Sequence, residues 1–168
     1  MAATMEARMR IGVISDTHGH ITNTLAAVRL LESLEVEQVL HCGDIGTPSI
    51  PKLLAAWPVH FVFGNCDQAG GELEEAIAAA GLTCHGRFGE IELAGRKIAI
   101  LHSDDARLFR STITSGKFDL VCYGHTHEAE SHREGRTLVL NPGALYRANP
   151  HSLAVVDLKT MEVEIIPL

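Results

Sequence analysis

Apolar residues in the first half of the chain come in short runs separated by helical patterns. Arg10 to Ser15, Gln38 to His41 and His60 to Phe63 read as β-strands, with helices over Thr22 to Leu34 and Thr47 to Ala56 between them. Thr22 or Asn23 is expected to cap the first helix, whose apolar stripe is Leu25, Val28 and Leu31 with Ile21 or Leu34. Thr47 before Pro48 marks the start of the second. A third helical pattern, Glu72 to Ala80, stops at Gly81, the residue type that best tolerates a left-handed C-terminal cap.

After Gly81 the texture changes. Phe88 to Leu93 and Lys97 to His102 flank Ala94-Gly95 as a hairpin, and a polar helix around Asp105 to Ser115 leads to an apolar run from Asp119 to Tyr123. Glu130 to Arg133, Thr137 to Leu140, Leu153 to Leu158 and Glu162 to Ile166 follow as strands linked by Glu134-Gly135, Pro142-Gly143 and Lys159-Thr160 turns. No internal repeat or Pro/Ser-rich linker divides the chain. The pattern predicts an α/β (α+β) fold with mixed sheets, as one domain over residues 10–168 behind a flexible tail at 1–9.

Composition changes this picture little. With 168 residues, 46% hydrophobic and 21% charged, the chain is long enough to bury about two-thirds of its unfolded surface. The formal net charge of -7 disfavours broad adhesion to nucleic-acid backbones or anionic membranes through a basic surface. Cys42, Cys66, Cys84 and Cys122 contain no C-x-x-C pair and read as packed free thiols of a reducing compartment. The N-terminus lacks an apolar signal core and no run is long enough to span a membrane, so a cytoplasmic protein is expected.

The chemistry lies at the strand exits. Asp16-Thr17-His18 follows the first predicted strand, Gly43-Asp44 the second and Gly64-Asn65 the third; His102 ends the Ile98 to Leu101 run, and Gly124-His125-Thr126-His127 follows Leu120 to Tyr123. In an open α/β sheet such exits converge on one rim. Two carboxylates, an amide oxygen and four imidazoles form a mixed O/N set suited to Mn²⁺, Fe or Zn²⁺ rather than to a thiolate-bound ion. Seven donors exceed a single tetrahedral site and suit two ions bridged by a carboxylate, for which Asp44 is the candidate. His41, His60, His85, His132 and His151 read as ordinary packing or surface histidines.

This ordered set, Asp16-Thr17-His18, Gly43-Asp44, Gly64-Asn65-Cys66-Asp67, His102 and Gly124-His125-Thr126-His127, resembles the calcineurin-like metallophosphoesterases, and more closely their small YfcE-type phosphodiesterases, over about residues 10 to 166. The resemblance implies a sandwich of two mixed β-sheets flanked by helices. It also implies two divalent ions, Mn²⁺ first with Ni²⁺, Fe or Zn²⁺ as alternatives. Asp16, His18 and His127 would hold one ion, Asn65, His102 and His125 the other, and Asp44 both, with Asp44, Asn65 and His125 carrying catalytic weight. Asn141-Pro142-Gly143 resembles a structural turn of the subfamily. Two positions depart from the common pattern: Cys66 replaces a histidine found in many relatives, and Ser103-Asp104 follows His102 where the subgroup usually has glycine.

The implied reaction is attack on a phosphodiester by a metal-bridging water or hydroxide, with His20 and Cys66 as candidate acids or substrate contacts. Because Cys66 is a poor substitute for an imidazolium, diesters with acidic leaving groups are expected to react best. A phosphomonoesterase or nucleotide phosphatase is the second enzyme reading. A non-catalytic metal-binding scaffold resembling vacuolar sorting protein 29 is the alternative from another class. The expected partner is a small-molecule phosphate ester, and a homo-oligomer is compatible with the sequence.

Overall fold

A computed structural model describes residues 8–168. Its elements in chain order are β1 (Arg10–Ile14), α1 (Ile21–Ser33), β2 (Gln38–His41), α2 (Ser49–Leu53), β3 (Val59–Phe61), α3 (Glu72–Ala79), β4 (Thr83–Cys84), β5 (Phe88–Leu93), β6 (Arg96–Leu101), α4 (Ala106–Thr114), β7 (Leu120–Cys122), β8 (Glu130–Glu134), β9 (Thr137–Asn141), β10 (Ser152–Asp157) and β11 (Glu162–Pro167). The strands form a six-stranded sheet ordered β11-β10-β1-β2-β3-β4 and a five-stranded sheet ordered β5-β6-β7-β9-β8. Both sheets are mixed: in the first, parallel β1 to β4 run to one edge and β10 and β11 join antiparallel at the other, and in the second, parallel β6, β7 and β9 are flanked by antiparallel β5 and β8.

Side-chain alternation along the strands separates three apolar layers. Ile11, Val13, Leu40 and Val62 of the first sheet meet Ile98, Ile100, Leu120, Cys122, Leu138 and Leu140 of the second between the sheets. Ile14, Val39, Val59 and Phe61 face the other way, onto Ala27, Leu31, Ile50, Leu54 and Ile77 from α1, α2 and α3. On the outer face of the second sheet, Ala99, Leu101, Val121 and Val139 receive Leu108, Phe109 and Ile113 of α4. The central strands are covered on both faces, so they read as unbroken apolar runs rather than as alternating ones.

Several boundaries differ from the sequence reading. The cap of α1 is His20, whose Nδ1 accepts the Asn23 N–H at 3.3 Å, rather than Thr22 or Asn23. The second helix is a single turn over Ser49–Leu53 rather than the longer segment to Ala56, because the chain must reach β3 across Trp57-Pro58. The two-residue edge strand β4 carries too little pattern to be seen in sequence and forms by pairing with β3. The Gly81 stop is as expected: its φ is +72°, with Gly81 N–H bonded to Ala78 O and Leu82 N–H to Ile77 O, a Schellman closure. Residues 1–7 of the expected tail lie outside the described residues. Arg8 pairs with Asp157 at 2.6 Å, and Met9 packs against the intersheet core.

Candidate metal centre

The C-terminal ends of the parallel strands in both sheets open onto one rim. β1 delivers Asp16 and His18, β2 Asp44, β3 Asn65, β6 His102 and β7 His125 and His127. Hydrogen bonds tie these exits together: Asp16 N–H to Gly43 O (3.0 Å), His18 N–H to Asp44 O (2.9 Å) and Gly124 N–H to His102 O (3.2 Å). Asp16, His18, Asp44, His125 and His127 all adopt left-handed backbone conformations, with φ between +44° and +74°. Non-glycine residues adopt this region at a cost, and only a tightly determined surrounding keeps them there.

Two glycines allow the close approach this requires. A Cβ on Gly64 would lie 2.1 Å from Asp44 Oδ1, and one on Gly124 would lie 2.0 Å from Ser15 Oγ and 2.7 Å from Asp16 Oδ2. Asp44 at the first, and Ser15 with Asp16 at the second, occupy the space any side chain would need.

Donor atoms then gather around the two buried carboxylates. Asp16 with His18 and His127, Asp16 with Asp44 and His102, and His18 with Asp44 and Cys66 each place their ligand atoms within 4.8 Å of one another. His127 Nε2 is 3.2 Å from Asp16 Oδ1, and His102 Nε2 is 3.1 Å from Asp44 Oδ2. His18 Nε2 lies between the carboxylates, 3.7 Å from Asp16 Oδ1 and 3.6 Å from Asp44 Oδ2.

Backbone carbonyls set the histidine tautomers. His102 Nδ1 is 2.8 Å from Cys42 O and His127 Nδ1 is 3.1 Å from Arg147 O; a carbonyl only accepts, so each Nδ1 carries the proton. In the neutral ring this leaves each Nε2 lone pair turned toward a carboxylate, an arrangement stable only with a cation between them, either a proton or a metal ion. Among the described residues, the buried side-chain atoms without a hydrogen-bond partner are Asp16 Oδ1, His18 Nε2 and His102 Nε2, three atoms of this one cluster. Such a set fits a divalent cation.

The ionisation of these groups reflects the same competition. Burial opposes the charge of Asp16, but His18, Ser15, His102 and His127 together lower its pKa below the ordinary carboxylate value. Asp44 behaves likewise: burial works against it, and His102 with the Cys66 N–H (2.9 Å to Oδ1) lowers it strongly. The His18 pKa is raised by Asp16, and that of His102 is raised by Asp44 and Asp16 against the penalty of burial. A dication displaces these protons, since it and they compete for the same lone pairs.

Of the sequence-derived ligands, the structure gathers Asp16, His18, Asp44, His102 and His127. Asn65 and His125 stand beside this group on the exposed side. The Asn65 side chain meets Cys66 Sγ at 3.7 Å, and the His125 ring sits edge-on to His102 at 5.1 Å while the His125 backbone N–H donates to Asp16 Oδ2 at 3.1 Å. His20 stacks on Tyr146 at 5.3 Å; because its Nδ1 accepts the helix-capping bond, its neutral ring carries the proton on Nε2. Cys66 is exposed and Cys84 half-buried, so the reading of four packed thiols holds only for Cys42 and Cys122. Cys66 lies on a ligand loop, where the backbone must stay near the surface to reach Asp44.

Four residues to which the sequence reading gave no role at the centre, Asp67, His41, Thr17 and Asn141, hold the loops. The Asp67 carboxylate accepts the N–H groups of Ile45 (3.1 Å), Gly46 (3.1 Å) and Gly64 (2.9 Å), joining the Asp44 loop to the Asn65 loop. His41, read as a packing histidine, is fully buried and stacked on Phe61. Its Nδ1 accepts from Gly43 N–H (3.2 Å), so Nε2–H donates to Thr17 Oγ1 (3.0 Å), which donates to Ile45 O (2.8 Å). Burial lowers the His41 pKa to about 4, so this relay is neutral. Asn141 donates to Gly124 O (3.3 Å) and Thr126 Oγ1 (3.0 Å), holding the His125 loop from the end of β9. The available sequence signals were Asp67 three residues after a glycine and a histidine ending an apolar strand.

A fold of two mixed sheets with an O/N cation site at its parallel strand ends defines the class, and sequence comparison agrees. The calcineurin-like phosphoesterase superfamily domain matches residues 9–161, and the chain belongs to that superfamily. It is 30% identical over 165 residues to phosphodiesterase MJ0936 of Methanocaldococcus jannaschii, covering 95% of this chain and 99% of that protein. Among solved structures, an archaeal phosphodiesterase superposes with a TM-score of 0.88 at 30% identity, over 95% of this chain and 100% of that one. The E. coli phosphoesterase Yfce shares the fold alone, with a TM-score of 0.65 at 17% identity over 95% of this chain and 99% of that one.

Proposed function

We propose that this protein hydrolyses small-molecule phosphodiesters with two divalent cations held by Asp16, His18, Asp44, Asn65, His102, His125 and His127. The observation that carries this reading is the convergence of unpartnered Asp16 Oδ1, His18 Nε2 and His102 Nε2 on one cluster. Similarity to a phosphodiesterase over nearly the whole chain favours the diester. Asp44 is the shared ligand: its Oδ2 faces both His102 and His18, and its Oδ1 is anchored by the Cys66 N–H.

Divalent ions at such a site supply Lewis-acid polarisation of the phosphoryl oxygens and lower the pKa of water. The protein positions the donors and the substrate. The carbonyls of Cys42 and Arg147 hold the His102 and His127 tautomers, and Asp67, His41 and Asn141 hold the loops. His20, stacked on the Tyr146 ring that also packs against His18 and with Nδ1 taken by the helix cap, is the candidate to donate Nε2–H to a leaving oxygen. Cys66 presents a weak donor by comparison.

The first test is turnover of bis-p-nitrophenyl phosphate by metal-stripped protein resupplied with Mn²⁺, beside Asp44→Asn treated identically. Mn²⁺-dependent turnover, reduced at least about a hundredfold in Asp44→Asn, is expected. Mn²⁺ uptake without turnover of this diester or of p-nitrophenyl phosphate would refute the enzyme and leave a metal-binding scaffold.

A further inference from the structure

The donor set of this centre is not purely oxygen and nitrogen. Cys66 Sγ stands with a His18 ring nitrogen and an Asp44 carboxylate oxygen, all within 4.8 Å of one another. Donors on a single tetrahedral zinc ion, at about 2.0–2.3 Å from it, are themselves separated by roughly 3.3–3.8 Å, so the three need close by only about 1 Å. The thiol is exposed, and its own backbone N–H is bonded to Asp44 Oδ1 at 2.9 Å, so the loop already fixes it beside the carboxylate. Of its two companions, Asp44 is buried and His18 Nε2 has no hydrogen-bond partner. The fully buried Asp16 Oδ1, 3.7 Å from that nitrogen, is likewise unpartnered and faces the same space.

We propose that Cys66 is a further ligand at this centre, forming with His18 and Asp44 a thiolate-containing site for thiophilic dications such as Zn²⁺ and Cd²⁺. The inference rests on the metal-centre reading above and adds a selectivity to it. Binding exchanges the thiol proton for the metal: the S–H bond breaks, an S–metal bond forms, one proton leaves to solvent, and no electron is transferred. Thiolate raises affinity for Zn²⁺ and Cd²⁺ far more than for Mn²⁺, whose preference is for oxygen and imidazole. The Cys66 mode would use His18 and Asp44, two donors that the Mn²⁺ reading also needs. Thiophilic ions therefore act here as competitors of Mn²⁺, and Cys66 sets which ion the centre retains.

The test uses Cd²⁺ alone, added to metal-stripped full-length protein. Wild type and Cys84→Ser, the control for the half-buried thiol, are expected to develop the ultraviolet thiolate-to-Cd²⁺ charge-transfer band, and Cys66→Ser to lack it. The ratio of Cd²⁺ to Mn²⁺ affinity should fall at least about tenfold in Cys66→Ser. On the unmutated protein, Cd²⁺ should protect Cys66 from alkylation more strongly than Mn²⁺ does. A band of full strength in Cys66→Ser, or Cd²⁺ bound by dialysis with neither band nor protection in wild type, overturns the proposal while leaving the metal centre standing. Failure of both Cd²⁺ and Mn²⁺ to bind overturns both.

Discussion

Space at this site is decided atom by atom. Gly64 and Gly81 are both glycines of loop segments, yet their substitution by alanine has different consequences. At Gly81 a Cβ meets nothing within 4 Å and the cost is the left-handed backbone alone, about 1 kcal/mol of stability. At Gly64 the same methyl falls 2.1 Å from Asp44 Oδ1 and 2.6 Å from Asp44 N. Gly64→Ala is therefore expected to displace the shared carboxylate and lower Mn²⁺ affinity by at least about tenfold, read by isothermal titration. Gly81→Ala serves as the comparison, with reduced stability and unchanged Mn²⁺ binding. The sequence showed glycine beside His18, Asp44, Asn65 and His125; which glycine is required by contact and which by φ depends on atoms from distant segments.

At the scale of elements, the centre is a meeting of loops from two sheets, and the residues that bind those loops together are distinct from the ligands. Asp67 is the clearest, with one carboxylate accepting three N–H groups from the Asp44 and Asn65 loops. Asp67→Asn keeps the volume but turns one acceptor into a donor facing N–H groups. It is expected to lower kcat/KM by about 10–100-fold with partial recovery at high Mn²⁺, a rescue that would be absent if Asp67 acted on the substrate. Thr17→Val is isosteric and leaves the buried His41 Nε2–H without an acceptor. It should cost about 1–3 kcal/mol in urea unfolding. The residues were visible in the sequence motifs, but the bonds they make were not, because loop-to-loop hydrogen bonds have no periodicity.

For the whole molecule, acid should weaken the fold through its neutral histidines. The His41 pKa lies near 4 in the folded protein against an ordinary 6.5, and burial shifts the His60 and His85 pKa values downward as well. A depressed folded pKa means that the unfolded chain binds protons first, so this stability is complete above pH 6.5 and is lost as pH falls toward 4. His41 alone accounts for about 3 kcal/mol across that window. The raised pKa values of His18 and His102 act with the opposite sign, losing stability as pH rises above 6.5, and the lowered Asp16 and Asp44 values act below 3.8. Urea unfolding of chelated protein between pH 7 and 4.5 is expected to show stability falling with acid, and His41→Gln a shallower fall. A parallel slope in His41→Gln would assign the acid sensitivity elsewhere.

By itself the sequence determined the order of elements apart from the edge strand β4, the strand exits and the residue types at them, because burial on both faces forces apolar runs and sharp turns favour glycine beside several of the ligands. Those signals are local, and the ordered motifs also carried the resemblance to the phosphoesterase superfamily. Only the tertiary structure decided that Asp16, His18, Asp44, His102 and His127 bring donor atoms together around two buried carboxylates, while Asn65 and His125 are exposed. It also placed Cys66 within reach of His18 and Asp44, made His20 a helix cap, and turned His41 and Asp67 into supports of the site. Each of these depends on atoms brought together from separate strands of two sheets, and a linear pattern of hydrophobic and polar residues does not encode such distances.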